Sequence, residues 1–193
     1  MRHQLAQAFR FTLLMTVLTG LIYPGVVTGF CQLLFSRQAN GSLLAVNGKI
    51  VGSTLIGQNF SKPEYFRPRP SAAGNDGYDA TSSSGSNLGP TNQKLVDRMK
   101  ADITKFRKEN PSYQGPIPAD LLTTSASGLD PDISPASALA QAPRVAQVRG
   151  VSLEQMQQVI SARTEWRQLG FFGEPRVNVL LLNLELDKRF PLH

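Results

Sequence analysis

The sequence predicts an α+β protein: a single N-terminal transmembrane helix followed by one mixed α/β exported soluble domain. Three observations predict it. Residues 11–35 contain no Asp, Glu, Lys, Arg or His. Helical periodicity with start signals recurs at 92–109, 134–141 and 152–168. Apolar runs of strand character lie at 43–56 and 177–186.

The uncharged run would rise about 37 Å as a helix, against about 30 Å of hydrocarbon, so it can cross with some tilt. It is too long for the apolar segment of a cleaved signal peptide, which is about 7 to 15 residues, and no small-x-small cleavage site follows it. Arg2 and Arg10 precede the run, and only Arg37 and then Lys49 follow. The excess of cations before the run places the N-terminus in the cytoplasm. The expected division is residues 1–10 cytoplasmic, 11–35 spanning the inner (plasma) membrane and 36–193 periplasmic. Pro24 removes the bond to the Gly20 carbonyl, so a kink is expected there. Thr16, Gly20, Gly25 and Gly29 form two small-xxx-small patterns, which let helices approach closely in lipid. The single cysteine, Cys31, sits in the run, so no disulfide supports the domain.

Beyond the anchor, residues 43–46 and 49–56 read as a hairpin, with Asn47-Gly48 supplying two positive-φ residues for a type I′ turn. Residues 60–90 are rich in proline, glycine and serine. Phe60, Tyr65, Phe66 and Tyr78 argue that this long stretch is an ordered, pinned loop. Helix 92–109 carries Leu95, Met99, Ile103 and Phe106 on one face and stops at Asn110-Pro111. Residues 118–135 are loop again. Ser134-Pro135 opens a helix directed toward Gln141 and bent or ended at Pro143. Ser152 and Gln155 form a capping box for a helix to about Gln168, with Met156, Val159 and Ile160 inward. Residues 177–186 read as a central strand, apolar on both faces.

The chemistry available is narrow. The two histidines are His3 and His193, so a nucleophile–histidine couple in the domain would need a terminal residue. No Cys/His zinc set, Walker A pattern or Gly-x-Ser-x-Gly elbow is present. Neither catalytic nor metal residues are expected. The serines at 82–86 and 125–127 read as turn hydroxyls rather than nucleophiles. Asp120, Asp130 and Asp132 read as turn and cap acids, with a hard-cation site as the sharper alternative. Of the net charge of +6, the part from residue 38 onward carries 17 cations against 14 acids, too weak a bias to indicate nucleic acid.

One family matches these motifs in order over nearly the whole chain. They are Gly52-Ser-Thr-Leu-Ile-Gly-Gln58, Pro63 with Tyr65-Phe66, Arg69-Pro-Ser-Ala-Ala73 and Ser84-Gly-Ser-Asn-Leu-Gly-Pro90. Further on come Pro118-Ala-Asp120, Thr124-Ser-Ala-Ser-Gly-Leu-Asp-Pro131, Arg144-Val-Ala146, Arg149-Gly150 and Gly173-Glu-Pro-Arg-Val-Asn-Val179. The chain resembles the C subunit of the bacterial high-affinity potassium-importing P-type ATPase, the Kdp complex. That resemblance implies a non-catalytic subunit, with a channel-like potassium-translocating subunit, a P-type ATPase subunit and a small one-helix subunit as partners, in a lipid bilayer. It implies a chaperone-like role that raises the ATPase subunit's affinity for ATP. ATP contact, on the same ground only, would fall to Ser84, Gly85, Ser86 and Asn87. An exported loop lies far from cytoplasmic ATP, so a cap over the outer mouth of the channel subunit suits the topology better. Within the matching motifs, Gln58, Arg69, Ser71, Asn87, Asp120, Ser127, Asp130 and Arg144 are the candidate partner contacts. A free-standing exported binding domain and a membrane-anchored hydrolase are the competing classes.

Overall fold

A computed structural model describes residues 2–192, which fall into two compact units dividing between Val51 and Gly52. The first unit is dominated by one helix over Arg2–Leu34, 33 residues long and apolar enough to span a bilayer. It consists of α1 (Arg2–Val17), a π-helical turn (Leu18–Ile22) and α2 (Tyr23–Leu34). The helix begins nine residues before the uncharged run, because Arg2 to Arg10 carry good helix formers with no break. At Pro24 the helix answers the missing N–H with the π turn: the Tyr23 N–H reaches back to the Leu18 carbonyl. A short helix α3 (Ser36–Ala39) follows.

Strands β1 (Leu43–Val46) and β2 (Lys49–Ser53) then form the expected hairpin. Asn47 and Gly48 sit at φ of 51° and 77°, the paired positive values of a type I′ turn. The second strand closes at Ser53, short of Ile56, because the Ser53 hydroxyl accepts the Leu55 N–H at 3.1 Å and turns the chain.

In the second unit, α4 (Gln93–Glu109), β3 (Asp132–Ile133), α5 (Pro135–Arg149), α6 (Leu153–Ala162), β4 (Thr164–Glu165), β5 (Arg176–Asn178) and α7 (Val179–Arg189) follow in order. The antiparallel sheet runs β3-β5-β4, with Ile133 opposite Val177 and Thr164 also opposite Val177. Side chains from α5, α6, α7 and this sheet bury a common core that includes Ile133, Val145, Met156, Val159, Val177, Leu182 and Leu186. Met156, Val159 and Ile160 face inward as their spacing requires. The capping box at Ser152 and Gln155 forms in both directions.

Three expectations are corrected. Residues 179–186 are helical, not a strand. Asn178 caps the helix by accepting the Leu181 N–H at 3.1 Å. Val179, Leu182, Asn183 and Leu186 then form one inward stripe at helical spacing. A run apolar on both faces fits either period, and only its first two residues pair as strand. The helix after Ser152 ends at Ala162 rather than near Gln168. The Thr164 hydroxyl takes the Ile160 carbonyl at 2.8 Å, and Thr164 itself joins the sheet. Finally, of the two outcomes expected at Pro143, bent or ended, the ending is excluded: α5 carries Pro143 in its interior and runs on to Arg149. The carbonyl that Pro143 leaves without a donor belongs to Leu139, whose side of the helix is open to water, so the helix tolerates the loss. On α4 only Phe106 is fully buried, while Leu95 and Met99 are half-buried and Ile103 is 38% exposed.

Candidate functional site

The long loops, not the helices, hold most of the residues singled out by sequence. Their backbone has no strand partner over residues 54–90, so side chains must satisfy it. Phe66 is completely buried. Its N–H donates to Asn183 Oδ1 at 2.9 Å, and its carbonyl accepts from Asn183 Nδ2 at 3.0 Å. Arg67 is clamped the same way by Gln141, at 2.8 and 3.0 Å. Two buried side-chain amides, one on α7 and one on α5, thus replace a neighbouring strand.

Two buried arginines on α5 complete the seat. Arg144 donates to the Pro63 carbonyl, to the Tyr65 carbonyl at 3.1 Å, to Asn110 Oδ1 at 3.0 Å and to Gln141 Oε1 at 3.0 Å. Burial pulls its pKa down to about 10, helped by nearby Arg67 and opposed by Glu109, which leaves it charged at neutral pH. Arg149 donates to the Glu64 and Phe190 carbonyls and pairs with Asp187 at 2.8 Å. Its guanidinium lies 5.1 Å from the centre of the Tyr65 ring. Residues 63–67 are therefore held as a belt across α5 and α7.

The glycine–serine segments meet one another. The Ser84 N–H donates to the Ser127 carbonyl at 2.9 Å, and the Ser83 hydroxyl reaches the same carbonyl at 3.0 Å. A Cβ on Gly85 would lie 2.9 Å from the Ala126 carbonyl oxygen. Gly128, at φ of 68°, is tighter still: a Cβ there would stand 2.5 Å from the Ser84 carbonyl oxygen. Both glycines are used for backbone against backbone. Ser71 donates to the Gly128 carbonyl at 2.6 Å and accepts the N–H groups of Ala73 and Tyr78. The Tyr78 hydroxyl donates to the Arg69 carbonyl, and burial pushes its pKa up.

The acids have separate duties. Asp120 accepts from the Ser134 N–H at 2.7 Å and from the Ser137 hydroxyl at 2.6 Å, fastening the start of α5. Asp130 pairs with Arg69 at 2.8 Å, and Asp132 pairs with Arg176 at 3.2 Å. Burial raises the Asp132 pKa against the pull of Arg176. Among the described residues no group of three or more His, Cys, Asp or Glu side chains could hold a metal ion. His193 lies outside the described residues.

The structure thus brings Arg69, Ser71, Ser127 and Asp130 together where the two loops meet, with Ser84 and Gly85 against them. Asp120 stands at the foot of α5, and Arg144 is inside the domain. Gln58 lies beside Gly52, where an added Cβ would meet its Nε2 at 2.1 Å. Ser86 is half-buried, while Asn87, at φ of 51°, is exposed. A groove of about 340 Å³ opens between the belt and α4. Its wall carries Arg67, Arg69 and Lys105 together with Asp76, Asp102 and Glu109, and Arg67 pairs with Glu109. Along the N-terminal helix, a Cβ on Gly20, Gly25 or Gly29 would meet nothing within 4 Å.

The family model for the K+-transporting ATPase, c chain, matches residues 5–188. The chain belongs to the KdpC family. A potassium-transporting ATPase KdpC subunit from Myxococcus xanthus is 58% identical over 184 residues, covering 95% of this chain and 87% of that one. The subunit of the same name from Caulobacter vibrioides strain NA1000 / CB15N is 59% identical over 179 residues, covering 92% and 89%. That from Mycobacterium bovis is 53% identical over 189 residues, covering 97% and 100%. A KdpC chain is thus a subunit of a potassium-transporting ATPase, as the sequence motifs imply.

Sequence reasoning missed two features of this KdpC chain. Gln141, Arg149 and Asn183, none of them among the candidate contacts, seat the belt. Their one sequence signal is polar side chains at inward positions of otherwise apolar helices. The other feature is the apex between β4 and β5, where Trp166, Leu169, Phe171 and Phe172 are exposed. Gly170 and Gly173 around the two phenylalanines were its signal.

Proposed function

We propose that this chain is the non-catalytic assembly subunit of an ATP-driven, high-affinity potassium-import complex. It is held in the inner membrane by its one helix, N-terminus inside, with the second unit on the periplasmic side. Its partners are the channel-like potassium-translocating subunit, the P-type ATPase subunit and the small one-helix subunit. The exported domain caps the outer mouth of the channel-like subunit. Any increase in the ATPase subunit's affinity for ATP follows from assembly, not from a nucleotide held by this chain.

One observation carries the reading. Polar loop side chains such as Ser71, Asp120 and Asp130 are engaged within the domain, and a Cβ on Gly20, Gly25 or Gly29 of the helix would meet nothing within 4 Å. Such a molecule is built to be packed against. Ser84 and Gly85, the residues the resemblance links to ATP, have their backbone faces against Ala126 and Ser127, which favours a structural use of the segment over a phosphate cradle.

The test is assembly. Gly25→Leu with Gly29→Leu puts two branched side chains on a bare helix face, and copurification of this chain with the other subunits should fall at least tenfold. Normal copurification would refute the packing reading. Sidedness is tested in a Cys31→Ser background with Gly89→Cys, where a Cβ has open space. A membrane-impermeant maleimide should label residue 89 from outside intact spheroplasts. Labelling only after lysis would reverse the topology.

A further inference from the structure

The second unit carries an apolar protrusion that nothing within the unit covers. β4 and β5 are joined by residues 166–175, and the tip closes by paired bonds between Gln168 and Phe172, both 2.9 Å. Trp166 is 73% exposed, Leu169 83%, Phe171 65% and Phe172 56%. The two phenylalanine rings lie against each other, centroids 4.2 Å apart. Four large apolar side chains within seven residues of chain is a patch that water alone does not favour.

A second observation concerns Leu169. It holds φ of 52°, the left-handed region where a glycine or asparagine would sit without strain. The strain secures no contact inside the unit, since the side chain is almost entirely in solvent. A strained leucine with no packing partner in the unit points to a surface that meets something else.

The charges around the tip decide what that is. Residues 164–176 contain Glu165, Arg167, Glu174 and Arg176, for no net charge. Arg167 pairs with Glu174 at 2.6 Å, and Arg176 with Glu165 at 2.9 Å. A loop that seeks an anionic lipid surface holds free lysines and arginines beside its aromatics. Here each cation is already matched. An apolar centre of Trp, Phe and Leu inside a neutral polar collar is instead the anatomy of a protein interface.

We infer that the 166–172 apex is a plug that inserts into an apolar, neutrally rimmed pocket on another protein chain of the same complex. This rests on the assembly reading above. The experiment replaces Phe171 with the photo-reactive p-benzoylphenylalanine in the full chain, coexpressed with the other subunits, and irradiates the cells. The expected result is a covalent adduct with another subunit, at least tenfold above a control probe at the exposed Gln157. An adduct with lipid only, with a second copy of this chain only, or none above the control overturns the inference. Should the probe unfold the chain, Leu169→Gly decides. It relieves the φ strain, so the thermal midpoint of the isolated full chain in detergent stays or rises, while copurification falls at least fivefold. Copurification unchanged within twofold overturns the plug. An unsubstituted chain that copurifies with no other subunit would instead refute the assembly reading itself, which keeps the two failures distinct.

Discussion

Asn183→Ala is the sharpest test of how the belt is held. The substitution removes both bonds to Phe66, at 2.9 and 3.0 Å, in a place where neither residue is more than 1% exposed. No water reaches the freed N–H and carbonyl, so each is left unpaired at about 1–3 kcal/mol. The expected loss is about 4 kcal/mol in all. For a domain of about 140 residues, about 3 °C per kcal/mol puts the fall in thermal midpoint near 12 °C. The assay is circular dichroism of the full chain in detergent, with amide exchange at Phe66. Leu182→Ala, at a fully buried neighbour on the same helix, is the comparison. It costs a similar 2–5 kcal/mol through a cavity but keeps the amide clamp. Phe66 should therefore lose protection beyond the global change in Asn183→Ala and not in Leu182→Ala. A midpoint shift below 2 °C, or equal Phe66 exchange in the two variants, would refute the clamp.

Two further outcomes are expected. Gly128→Ala forces a Cβ to 2.5 Å from the Ser84 carbonyl oxygen at positive φ, so it should cost about 2 kcal/mol or more and expose the Ser84 amide to exchange. Glu185 accepts bonds from Arg163 and Arg189, which hold its pKa below the usual carboxylate range. Its contribution is therefore complete above the unfolded value of about 4.3 and is lost as pH falls through the lower folded value. Glu185→Gln should flatten that part of the acid-unfolding profile, and an unchanged profile would show the two arginines do not stabilise the carboxylate.

The parts legible in the sequence are those whose signal is local. Asn47-Gly48 fixes its own turn through two backbone conformations, and Ser152 with Gln155 closes its own cap. The helix 93–109 is bounded by Asn92 and Asn110, which both act within one turn. The errors arise where two periods fit the same residues. Val177 to Leu186 offers apolar side chains at spacing two and at spacing three to four, and only the Asn178 cap separates them. The end of the helix at Ala162 depends on Thr164 pairing with Val177, a residue far along the chain. The candidate contacts split for a related reason. A polar residue in a loop motif looks the same whether it faces out, as Asn87 does, or is folded inward, as Arg144 is. Gln141 and Asn183 showed no more than a polar side chain at an inward position, because their partners lie 74 and 117 residues away.

The belt also fixes an order of events during synthesis. Residues 63–67 leave the ribosome long before their seat exists, since Arg144, Arg149, Asn183 and Asp187 all come later. Until α7 has emerged, Tyr65 and Phe66 are bare aromatic surface with unpaired backbone beside them, in a proline-bracketed stretch poorly suited to recruit a stray strand. Closure of the domain therefore waits for the last helix, and a nascent chain stalled before residue 183 would hold its most buried aromatic in the open.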